Sequence, residues 1–270
     1  MSRREGSNIL QFQDLGLGSS FHLLLQSQHP GFFSPPLRAG NGMEPALQVP
    51  HGTTVLALLY DGGVIVAGDR MATEGYSVSE RRIEKVHAVD DSSVMAIAGA
   101  AGPCMEMIRL FRVELEHYEK IEGVMLSMEG KAAKLAAMIK GNLPMAMQGL
   151  IVMPIYAGFD KKRNACRIYK YDVAGGQYEE TEYHSIGSGG KDARGALKKI
   201  FKKGLSREAA IDVAIEALYD ASEADIATGG PDLIRGIFPT VKVIDRNGVV
   251  SLADDAVKIK LNQLMTRLGG

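Results

Sequence analysis

The chain has 270 residues, 46% hydrophobic and 23% charged, with a formal net charge of −1. That is enough for one domain with a sizeable core, and the near-neutral balance argues against a nucleic-acid-binding surface. No apolar run approaches the ~20 residues of a membrane span, and two cysteines suit a reducing compartment without disulfides. Neither histidine nor cysteine spacing supports a metal site, so the expectation is a cytoplasmic protein without a cofactor.

Residues 1–52 contain no Lys and no sustained hydrophobic period, and Pro30, Pro35, Pro36, Pro45 and Pro50 punctuate them. They read as a flexible pro-segment, with brief order possible only over Ile9 to Leu17. Phe21 to Leu25 is too short and broken to be a signal-peptide core. The pattern changes at Gly52-Thr53-Thr54, where a β-prone apolar segment begins. The expected domain therefore spans 53–270.

Strands are expected over 53–60 and 64–70, joined by the Asp61-Gly62-Gly63 turn, and over 94–99. Helical spacing follows from about Pro103 to Lys120 and from about Gly130 to Met147. Residues 150–159 and 165–172 form a hairpin around the charged Lys161-Lys162-Arg163-Asn164 turn. Helices resume over about 190–203 and 206–222, the second with Ser206 as N-cap. A last hairpin joins 241–245 to 249–251 around Arg246-Asn247-Gly248. Blocks of strands alternating with blocks of helices indicate an α+β fold of two antiparallel sheets between two helical layers.

Cleavage before Thr53 would leave a free α-amine beside a hydroxyl, one recognised way of activating a poor nucleophile. Around this junction lie Gly68-Asp69-Arg70, Glu84-Lys85-Val86, Ala98-Gly99-Ala100, Ile186-Gly187-Ser188-Gly189-Gly190 and Asp225-Ile226-Ala227-Thr228-Gly229-Gly230. Together these resemble the catalytic β-subunits of the core proteasome, in the N-terminal nucleophile hydrolase superfamily, over essentially all of 53–270. The long leader, Gly-Ser-Gly-Gly-Lys-Asp-Ala and Ala-Thr-Gly-Gly-Pro-Asp look most like the actinobacterial type.

The resemblance implies a four-layer αββα sandwich and a threonine peptidase released by autolysis between Gly52 and Thr53. It gives Thr53 as nucleophile, with Asp69, Lys85, Ser188, Asp225 and Thr228 around it and the Gly99 N–H as oxyanion donor. It lines the pocket for the residue before the cleaved bond with Ala72, Ile83, His87, Ile97 and Ala101, and lets Thr73 and Ala101 offer backbone to an extended substrate. Small apolar walls favour Leu, Phe or Tyr there. Met71 stands where many relatives carry Arg, Thr228 where many carry Ser, and Gly230 where many carry Asp. The implied partners are a seven-membered ring of copies of this chain, α-subunits, a ring-shaped ATPase and polypeptide substrates.

Simpler readings compete for each residue. Asp69 and Lys85 could be an exposed ion pair, worth little energetically. Ser188 could be only a helix N-cap, and Gly99 a strand-end glycine. Gly187 to Lys191 hints at a phosphate loop, but Asp192 follows the Lys where Ser or Thr is required. As whole-protein alternatives, the peptidase that partners a bacterial heat-shock ATPase is shorter and lacks the leader. A non-catalytic ring subunit typically loses the Thr or the Lys, and a small-molecule amidase of the superfamily usually begins with Cys or Ser.

Overall fold

The computed structural model describes residues 52–74 and 77–269, so the expectations for the rest of the leader lie outside the described residues. Two five-stranded antiparallel sheets form the centre. The first has the order β10-β1-β2-β11-β12, with β1 Thr54–Tyr60, β2 Gly63–Gly68, β10 Tyr183–Gly187, β11 Thr240–Asp245 and β12 Gly248–Ser251. The second has the order β5-β6-β7-β8-β9, with β5 Val86–Asp90, β6 Ser93–Gly99, β7 Val152–Asp160, β8 Ala165–Tyr171 and β9 Gln177–Glu180. A short hairpin, β3 Ala72–Glu74 with β4 Ser77–Glu80, stands apart from both.

Side-chain alternation distributes the strands among three apolar layers. In β1, Val55 and Ala57 face the second sheet, while Leu56 and Leu58 face outward. In β6, Val94, Ala96 and Ala98 face the first sheet, and Met95 and Ile97 face outward. Because both faces are covered, these strands read as unbroken apolar runs.

The outer face of the first sheet is covered by α4 (Gly190–Ile200), α5 (Arg207–Ala224) and α6 (Asp254–Gly269); the second is covered by α1 (Ala101–Glu122) and α2 (Met128–Gly141). This is the expected α+β sandwich of four layers. Each fully buried Leu, Ile or Phe in it contributes about 1.5–3 kcal/mol relative to exposure.

Local signals explain most boundaries. Ser206 accepts a hydrogen bond from the Ala209 N–H and starts α5, and Ser127 does the same for α2 through Gly130. The helix expected over 130–147 instead ends at Gly141, with α3 (Leu143–Ala146) as a separate turn. Pro144 cannot donate to the helical ladder and clashes with the preceding turn. Strands β3, β4, β5, β9 and β10 and helix α6 had no sequence expectation. β3, β4 and β9 are short and largely polar; α6 shows a period in Val257, Leu261 and Leu264 that would have revealed it.

Candidate active site

The Gly52–Thr53 bond lies at the rim between the sheets, where β1 begins. The Thr53 hydroxyl donates to the Gly52 carbonyl at 2.6 Å, and the Lys85 ammonium donates to the same oxygen at 2.9 Å. Lys85 also pairs with Asp69 Oδ1 at 2.8 Å and donates to the Met71 carbonyl. Met71 thus acts through its backbone, which is why the side-chain difference at this position leaves the contact intact.

Exposure separates the competing readings of this pair. Asp69 is 1% and Lys85 4% exposed, so it is not a solvated surface bridge. Asp69 is further held by backbone N–H groups of Thr54 at 2.7 Å, Gly229 at 2.9 Å and Met71 at 3.0 Å. Burial pushes the Lys85 ammonium below its ordinary value, and the charge and hydrogen bond of Asp69 offset this only in part.

On the other side of Thr53, the Ser188 hydroxyl accepts from the Thr53 N–H at 3.4 Å, and the Ser188 N–H donates to the Thr53 carbonyl at 2.8 Å. Asp225 accepts from the Thr228 hydroxyl at 2.6 Å and the Ala227 N–H at 3.2 Å, while the Ser188 hydroxyl, close enough to lower the Asp225 carboxyl, donates to the Thr53 carbonyl at 3.2 Å. Burial works to raise this carboxyl, but those bonds, with the Lys85 charge, outweigh it and hold it below the usual range. Thr53, Asp69, Lys85, Ser188, Asp225 and Thr228 therefore come together around one peptide bond.

Two glycines are dictated by geometry. Gly187 has φ +99° and passes directly against the Thr53 carbonyl; Gly99 has φ +126° and passes against the Ile151 carbonyl. A side chain at either position would meet both backbone strain and a clash. Gly99 and Thr53 line a cavity of about 30 Å³ with Ala72, Ile83, Ile97 and Ala101. Cys104 and Met105, on the first turn of α1, also face it. They lay outside the sequence expectations, although α1 starting directly after Ala100 was the available signal.

His87 lines a different cleft. Its ring is bonded to the Glu84 carbonyl at 3.0 Å and faces Arg109, Arg112 and Met145 rather than the small cavity. Its position further along β5, opposite Met95 and under α1, accounts for this. Thr73 is absent from the cavity lining too, but a side chain at Gly52 would run into its hydroxyl.

Residues 49–234 match the family model described as proteasome subunit. A proteasome subunit beta of Acidimicrobium ferrooxidans is 55% identical over 225 residues, 82% of each chain. One of Acidothermus cellulolyticus is 51% identical over 88% of this chain and 83% of its own. Proteasome subunit beta 1 of Rhodococcus erythropolis is 49% identical over 93% of this chain and 86% of its own. The chain belongs to the proteasome subunit family, alongside β-subunits of actinobacteria.

Proposed function

We propose that this chain is a catalytic β-subunit of the proteasome core particle, here in precursor form. On this reading it is a threonine endopeptidase whose nucleophile is Thr53, freed by autolysis at Gly52–Thr53. The observation that carries the reading is the Thr53 hydroxyl hydrogen-bonded at 2.6 Å to the carbonyl of the bond it would break, with Lys85 on the same oxygen.

In maturation, Thr53 Oγ attacks the Gly52 carbonyl carbon and its proton passes through water to the departing Thr53 nitrogen, while the Lys85 ammonium stays protonated on the carbonyl oxygen. Negative charge grows on the carbonyl oxygen, where a preorganised donor is worth about 2.7–4 kcal/mol. The Thr53 nitrogen leaves with a proton, giving an ester, and water hydrolyses the ester. Residues 1–52 depart with a carboxylate at Gly52, and Thr53 keeps a free α-amine. That amine, bonded to Ser188 and near Asp225, then serves the same hydroxyl during substrate cleavage, with the Gly99 N–H as oxyanion donor.

The apolar walls support a preference for Leu, Phe or Tyr before the scissile bond, and a buried acidic side chain would find poor compensation. A cavity of about 30 Å³ holds little more than a water or a methyl group. Working partners on this reading are a seven-membered ring of copies, α-subunits and a ring-shaped ATPase, in the cytoplasm. No helix among the described residues is long and apolar enough to cross a membrane.

The test is intact mass and peptidase turnover of particles assembled with α-subunits. Chains should begin at Thr53, and Thr53→Ala should keep the leader and cleave nothing. Active particles made of full-length chains, or turnover by Thr53→Ala, would refute the assignment.

A further inference from the structure

Thr54 follows the nucleophile and touches both halves of the site. Its backbone N–H donates to Asp69 at 2.7 Å. Its hydroxyl lies 2.6 Å from that of Thr228 and accepts from the Gly189 N–H at 3.0 Å. Thr54, Gly189 and Thr228 are all buried.

Proton counting fixes the direction of these bonds. An ionised carboxylate only accepts, so Thr228, 2.6 Å from Asp225, gives its single proton to Asp225. Thr228 must then accept from Thr54. Thr54, its proton committed, accepts from the Gly189 N–H. Each group is used once, and each bond polarises the next. A Cβ on Gly189 would lie 2.6 Å from the Thr54 hydroxyl and clash with Thr228, so only glycine admits this approach.

We infer that Thr54 is a positioning residue of the catalytic site, the central link of a one-way hydrogen-bond chain from Gly189 through Thr228 to Asp225, which fixes the Ser188–Gly189 segment and so keeps Ser188 on the Thr53 nitrogen. The inference rests on the reading of Thr53 as nucleophile. Its β-branched side chain, stiff at χ1, suits a fixed link. Thr54→Val keeps the shape and the backbone bond to Asp69, and leaves the Gly189 N–H and the Thr228 oxygen unpartnered.

The experiment uses assembled particles of wild type, T53A, T54V, T54S, T228V and the double variant T54V/T228V, with a fluorogenic peptide across pH 5–9. T54V should lower kcat roughly five- to a hundredfold, the scale of one buried donor left unmatched. KM should stay within about twofold, since the lost interaction aligns the nucleophile rather than binding substrate. The acid limb of kcat should move to higher pH, because Asp225 keeps weaker donors. T54S should recover most of the activity. The double variant should be no worse than the poorer single, since both break one chain.

Wild-type kcat and pH profile in T54V, additive losses in the double variant, or a T54S as impaired as T54V would overturn the inference. If T54V does not assemble, T228V decides alone: the same kcat loss supports the chain and wild-type kcat overturns it. An active T53A would instead refute the nucleophile, whatever Thr54 does.

Discussion

Replacing Gly52 by alanine perturbs the bond proposed to be cleaved without touching any side chain proposed to be catalytic. A Cβ there would lie 2.6 Å from the Ala227 carbonyl oxygen, 3.2 Å from Thr73 Cβ, and still closer to the Thr73 hydroxyl. The hydroxyl can rotate; the Ala227 carbonyl is backbone and cannot. Restoring ordinary contact, which begins near 3.4 Å, moves the Gly52 unit by close to 1 Å. That shift acts on the carbonyl now held at 2.6 Å by Thr53 and 2.9 Å by Lys85. A misplacement of about 1 Å costs on the order of 100-fold in rate, and overpacking of this kind costs about 1–3 kcal/mol. Precursor assembled with α-subunits should therefore lose its leader roughly 10–100-fold more slowly by intact mass over time. Thr73→Ala in the same chain should restore only part of the rate, because Ala227 still obstructs. Leader loss at the wild-type rate in Gly52→Ala would show that the close approach of Gly52, Thr73 and Ala227 does not position the bond.

Lys85→Ala should abolish both leader removal and peptide turnover. Its stability loss should fall at or below the ~3–5 kcal/mol of a broken buried pair, because three backbone N–H groups still hold Asp69; thermal melts and turnover separate the two effects. Gly187→Ala combines a positive φ with a clash on the Thr53 carbonyl, and should lower stability by about 2 kcal/mol or more in denaturant titrations. Burial lowers His184 from its ordinary 6.5 to about 4, with Glu180 opposing. Between those values the unfolded chain binds the additional proton, so stability is lost as pH falls from 6.5 to 4, by up to about 3 kcal/mol. Urea unfolding of His184→Gln across this range should be flatter than wild type by that amount.

Much of the fold was legible because it rests on interactions only a few residues long. The Asp61-Gly62 turn, the Ser206 cap and the apolar runs of β1, β2 and β6 each declare themselves within one segment. The break at Pro144 was equally legible in principle, as the ring's missing N–H acts on its own turn, yet apolar spacing alone carried the expected helix through it. Short polar strands such as β9 escaped because their partner, rather than their composition, makes them strands: Gln177 to Glu180 pair with Ile168 to Tyr171.

The sequence alone determined where the first strand begins, which strands are apolar enough to be covered on both faces, and which residues bear hydroxyls, carboxylates and an ammonium near that strand. Only tertiary structure decided how those groups meet. Thr54 and Thr228 are 174 positions apart, and Thr53 and Ser188 135 apart. Their contact depends on β10 pairing with β1 so that Gly187 stands opposite Thr54. Packing of the two sheets turned Asp69, after β2, and Lys85, before β5, from a candidate surface pair into a buried one, with burial setting the direction of the Lys85 shift. The β5–β6 pairing, with His87 opposite Met95, left His87 in the neighbouring cleft under α1. Local propensity specifies which faces are apolar, whereas the distance between two polar groups on different strands is fixed by sheet register and close packing, which are properties of the whole core.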